Sequence, residues 1–120
     1  MKIYVASSFD RKEEVLEIYS SLREMGFETV DWTRHKRIIP FNENTATASL
    51  YAAEDSTGVI RSDIFARLCG STGNTHGHKT EHGIAIASYI FTGKPVVYAI
   101  GDPSDSMFNF HPATTRIPTV

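Results

Sequence analysis

Thr80-Glu81-His82-Gly83-Ile84-Ala85-Ile86-Ala87-Ser88-Tyr89-Ile90-Phe91, running on through Thr92-Gly93-Lys94 into Pro95-Val96-Val97-Tyr98-Ala99-Ile100, decides the fold. The first part is small, apolar and free of β-branched runs long enough to force a strand, so it predicts a buried helix. Gly93 ends it in the position where a left-handed residue is wanted. The second part is an unbroken apolar run with no alternation, which predicts a strand covered on both faces. A helix feeding such a strand is the second half of a βαβ unit.

Working toward the N-terminus, Asp63 to Leu68 reads as another short strand and Thr45 to Ser62 as a helix with a break near Gly58. Thr33 to Asn44 is polar, basic and contains Pro40, a loop long enough to carry function. Phe27 to Trp32 reads as a strand. Val15, Leu16, Ile18, Tyr19, Leu22 and Met25 repeat at helical spacing before Gly26. Asp10 is placed to cap that helix, with Glu13 as its capping-box partner. Ile3 to Ala6 is the first strand. The strand–helix alternation predicts one α/β domain over residues 1–120, a doubly wound, Rossmann/flavodoxin-like parallel sheet of about 4–5 strands flanked by helices. Ligands of such sheets bind at the carboxyl ends of the strands, which selects Ser7–Asp10, Thr33–Asn44 and Gly70–Thr80.

Composition narrows the function classes. With 12 Lys and Arg against 14 Asp and Glu, the chain carries a net charge of −2, which argues against nucleic acid or a membrane surface as partner. A single cysteine, Cys69, excludes a disulfide framework and a CxxC site. No apolar run has the length of a membrane span or a signal peptide, so a cytoplasmic protein is expected. GxGxxG and GxxxxGK[ST] are both absent. His78 and His82 are four residues apart and, with Glu81 and His76, raise a metal-assisted hydrolase as one alternative. The HExxH order is missing, and the expectation is no metal and no cofactor. Trp32, Phe108 and Phe110 are candidates either for stacking on a base or for core and interface packing. Asp55, Asp63 and Glu81 are carboxylates near the selected loops; converging on one crevice they would suit glycosidic chemistry. Each also has a plain structural role open to it. Asp55 and Asp63 fit a helix break and a strand start, and Glu81 fits the first turn of a helix, where its charge is favourable.

Three segments together resemble the nucleoside 2-deoxyribosyltransferase superfamily, which includes the deoxynucleoside 5′-monophosphate N-glycosidases. They are Ile3-Tyr4-Val5-Ala6-Ser7-Ser8-Phe9, Asp55-Ser56-Thr57-Gly58-Val59-Ile60-Arg61-Ser62-Asp63, and Thr80-Glu81-His82-Gly83-Ile84-Ala85 with Gly93-Lys94-Pro95-Val96. The resemblance implies that Glu81 is the nucleophile toward the anomeric carbon, that Asp55 binds the sugar and that Tyr4 orients Glu81. It further implies a substrate pocket lined by Ser7, Ser8, Phe9, Asp63, Gly77 and His78. The implied ligand is a small-molecule nucleoside or nucleotide, and the implied assembly a homodimer or higher homo-oligomer. Some of Met107, Phe108 and Phe110 are then expected to face a partner subunit, with Asn109 or His111 near the neighbouring pocket; the alternative is that the tail folds back over its own sheet edge. The chain departs from the transferases at Thr75, six positions before Glu81, where many have an acid thought to handle the base proton. The N-glycosidases also lack that acid and use water as acceptor. A nucleotide-binding or sensing module without turnover is the remaining alternative.

Overall fold

The structure, a computed structural model, describes residues 1–70 and 76–118. Among the described residues five strands form one parallel sheet in the order β2-β1-β3-β4-β5: β1 Lys2–Ala6, β2 Glu28–Thr29, β3 Ile64–Leu68, β4 Val96–Ile100 and β5 Thr114–Ile117. This is the flavodoxin-like order, in which the direction of winding reverses between β1 and β3. The strands β1 to β4 are connected by the helices α1 Lys12–Glu24, α2 Thr45–Arg61 and α3 Gly77–Thr92.

The sequence expectations need four corrections. First, α1 is not capped by Asp10. A 3-10 turn over Phe9–Arg11 comes first and Arg11 occupies the cap position, so no side chain caps the helix. Second, α2 runs through Gly58 without a break. A Cβ on Gly58 would lie 2.9 Å from Val30 Cγ1 and 3.2 Å from the Tyr4 ring. Glycine is there because the helix presses on the sheet, and not because the chain turns. Third, the tail adds the edge strand β5 beside β4 and reaches it through 3-10 turns over Pro103–Asp105 and Met107–Phe110. Fourth, the two faces are covered unequally. Along β4, Val97 and Ala99 are buried, whereas Val96 is 42% exposed.

The core lies between the sheet and its helices. Tyr4 and Phe65 stack side by side on adjacent strands, their centroids 5.8 Å apart, and Phe65 stacks in turn on His82 of α3 at 6.1 Å. Val15 and Tyr19 of α1 are fully buried. The Tyr19 hydroxyl donates to the Val30 carbonyl at 2.7 Å and accepts from the Val5 N–H at 2.9 Å. Burial of that hydroxyl is tolerated because both its roles are satisfied.

Candidate active site

Tyr4 lies in the middle of β1, and its ring faces α2 and α3. Its hydroxyl donates to the Glu81 carboxylate. Glu81 is the fifth residue of α3, which begins at Gly77. It therefore stands one turn further in than the first-turn position read from sequence, and the helix dipole contributes less than that reading implied. What the position provides is burial against the sheet. Burial raises the Glu81 carboxyl to about 8, the Tyr4 hydrogen bond offsets part of that rise, and the Asp55 charge adds to it. Tyr4 is held fully protonated by burial, reinforced by the charges of Glu81 and Asp55. A hydroxyl that cannot ionise is a permanent donor, and it fixes which way the carboxylate points.

Asp55 comes from α2. Burial raises it to about 6, His35 opposes the rise and Glu54 adds to it. Tyr4 and Asp55 line a cleft of about 680 Å³ together with Trp32, Arg34, His35 and Glu54, a volume within the range of small-molecule sites. Glu81 does not line this cleft and meets it through the Tyr4 hydroxyl. Trp32 is packed in the core with its indole N–H tied to the Val5 carbonyl at 2.6 Å.

The remaining sequence candidates divide. Ser7 and Ser8 are buried at the carboxyl end of β1. Ser7 Oγ donates to the Ser8 carbonyl, while Ser8 Oγ has no hydrogen-bond partner among the described residues. Phe9 follows them, with Lys12 Nζ 5.1 Å and the Arg37 guanidinium 5.9 Å from its ring centroid. Arg11 donates to the Cys69 carbonyl at 2.7 Å and so ties the end of β1 to the end of β3. Gly77 is exposed and opens α3. Asp63 is not in the crevice. It sits at the amino end of β3, where parallel pairing puts it on the far edge of the sheet. There it accepts from the Lys2 N–H at 2.8 Å and lies 3.6 Å from Lys94 Nζ. Thr75 lies outside the described residues.

His78 and His82 share a buried face of α3, but that face is directed at Arg67 and β5. His78 Nδ1 is 3.1 Å from an Arg67 guanidinium nitrogen, and His82 Nε2 is 3.0 Å from Thr114 Oγ1. Among the described residues no group of three or more His, Cys, Asp or Glu side chains is placed to hold a metal ion. Arg67 itself was missed by the sequence reading. It is fully buried, forks onto Asp105 at 2.7 and 2.9 Å and donates to Asn109 at 2.8 Å. A charged residue inside the apolar run Ile64-Phe65-Ala66-Arg67-Leu68 is the signal that would have revealed it, because such a charge needs a buried partner. Asn109 is thus buried and hydrogen-bonded within its own chain.

No family model matches the chain, and no curated protein matches it significantly. A search of solved structures finds the Clostridium botulinum CMP N-glycosidase BcmB. This chain has the same fold as that protein. The likeness extends over 98% of this chain and 87% of that one, at a TM-score of 0.59 and 15% sequence identity. At that identity the likeness is one of architecture, and any shared chemistry has to be argued from the residues of this chain. None of the described helices is long and apolar enough to cross a membrane.

Proposed function

We propose that this protein cleaves the N-glycosidic bond of a 2′-deoxynucleoside or its 5′-monophosphate, with Glu81 as nucleophile and water as the acceptor. The observation that carries the reading is the hydrogen bond from Tyr4 to Glu81, close enough to Asp55 for the two carboxylates to interact, with Tyr4 and Asp55 lining a cleft of about 680 Å³ that Glu81 meets through the Tyr4 hydroxyl. In the first step a Glu81 oxygen bonds to the anomeric carbon. The bond from that carbon to the base nitrogen breaks, and its electron pair leaves with the base, which takes up a proton. In the second step water attacks the same carbon, the ester to Glu81 breaks, and the water's proton is released. Tyr4 contributes aim and Asp55 holds the sugar. The fold of BcmB supports the reaction class, and the three sequence motifs support the residue roles.

Incubation with CMP, dCMP and a panel of deoxynucleosides and monophosphates, with chromatography of the products, tests this. Free base released without a second base supports hydrolysis. Base exchange only when a second base is supplied would assign transfer instead, and no release from any substrate would refute the reading. A 2-fluoro sugar analogue should leave an adduct on the peptide that contains Glu81. We also propose that the protein acts in the cytoplasm as a single domain within a homo-oligomer. Met107, Phe108 and Phe110 are 78%, 45% and 56% exposed, more apolar surface than one short segment usually leaves to water. Light scattering at micromolar concentration should give at least a dimer mass, and a fully active monomer would refute this.

A further inference from the structure

His35 belongs to the basic loop and carries none of the roles above, yet it is held on several sides. Its N–H donates to the Trp32 carbonyl at 3.0 Å, and Trp32 is itself anchored to β1. Its ring stacks on Tyr51 of α2, with centroids 3.9 Å apart and planes within 6°. Its two nitrogens face two carboxylates, Nε2 lying 3.0 Å from Glu54 and Nδ1 3.5 Å from Asp55. The side chain is only 12% exposed and borders the same cleft as Tyr4 and Asp55.

We propose that His35 is a positioning residue for Asp55: stacked on Tyr51 and braced by Glu54, it holds the Asp55 carboxylate in place at the wall of the cleft. The inference rests on the N-glycosidase reading for its consequence in turnover, though not for the clamp itself. The ring is hydrogen-bonded to Glu54 through Nε2 at 3.0 Å, while Nδ1 meets Asp55 at 3.5 Å as an ion-pair contact that requires the imidazolium. The clamp is therefore complete in the protonated form and halved in the neutral one. Asp55 is faced by Tyr4 from β1, by Glu81 from α3, by Glu54 on its own helix and by His35 from the loop. Among these His35 is the only one that can bring positive charge, and it opposes the upward push of burial and of Glu54.

The test uses the full chain and His35→Phe, which keeps a flat ring against Tyr51 and removes both donors. His35→Gln, which keeps one donor, carries the same readings if the Phe variant is unfolded. The first readout is an NMR titration of the Asp55 carboxyl carbon, which needs no activity. The midpoint should move up by about half a pH unit or more in His35→Phe. The second is kinetic: kcat should fall about tenfold or more while KM changes less, and His35→Phe should cost nothing further in an Asp55→Asn background. An unmoved Asp55 midpoint would overturn the proposal, as would a kcat loss that repeats in full in the Asp55→Asn background. If the wild-type protein releases no base from any substrate, the functional reading fails while the titration still decides the clamp.

Discussion

Glu81 is where function and stability pull against each other. Its carboxyl is held up to about 8 chiefly by burial, while a nucleophile has to be ionised. Between its ordinary range and about 8 the folded protein keeps a proton that the unfolded chain gives up. The contribution of Glu81 to stability is therefore greatest below about pH 4.5 and declines as pH rises toward 8. Glu81→Gln removes the ionisable group and keeps the shape. Its melting temperature should match the wild type near pH 5 and exceed it increasingly toward pH 8, by an amount worth about 1–3 kcal/mol. Base release should fall by several orders of magnitude in the same variant. A melting curve whose pH dependence is unchanged by the substitution would show that Glu81 does not titrate as described. In the wild type, kcat/KM should climb through the range from about 6 to about 8, where Asp55 and Glu81 lose their protons. A profile that instead falls across that range would exclude both as required carboxylates.

Most elements were legible in the sequence because their signals are local. The run Ile84-Ala85-Ile86-Ala87 and the apolar stretch Val96 to Ile100 announce α3 and β4 by pattern alone, and Gly93 closes α3 at φ +83°. Gly58 was misread because its cause is not local. A glycine inside a helix signals a break from sequence, and only the contact with Val30 and Tyr4 shows why the helix continues there. For the same reason the start of α3 and the inward place of Glu81 were not legible, nor were the partners of His78. Gly58→Ala adjudicates between the two readings. In an unconstrained helix interior the substitution would gain up to about 1 kcal/mol. Here the new methyl meets a stiff β-branched side chain at 2.9 Å and the Tyr4 ring at 3.2 Å, so it should lower the melting temperature and reduce turnover by displacing Tyr4. A stabilised, fully active Gly58→Ala would show that α2 does not press on β1 as described.

At the scale of the molecule, Arg67 binds three remote parts of the chain into one. Its guanidinium, fully buried in β3, takes Asp105 and Asn109 from the tail and faces His78 on α3. Asp105 also accepts from the Gly70 N–H at 2.8 Å, at the end of the strand that leads toward the site. Burial works against the Asp105 charge, but Arg67, Gly70 and Asn109 overcome it and hold the carboxyl far below its ordinary range. Its stabilisation is therefore complete above the ordinary carboxylate range and is lost as pH falls toward the lower folded-state value. His82 acts in a separate window. Burial lowers it to about 4, with Arg67 adding to the fall, so the unfolded chain takes up a proton below about 6.5 that the folded protein refuses. Stability should accordingly decline in two stages on acidification, from about 6.5 to about 4 through His82 and further down through Asp105. His82→Phe, which can keep the stack on Phe65, should flatten the first stage and leave the second. Asp105→Asn keeps the shape but leaves Arg67 as an unpaired buried charge. It should cost about 3–5 kcal/mol at neutral pH and remove the second stage. Thermal unfolding followed from about pH 1.5 to 8 on the three proteins separates these contributions. An Asp105→Asn variant as stable as the wild type at pH 7 would mean that the tail is not held to the sheet through Arg67.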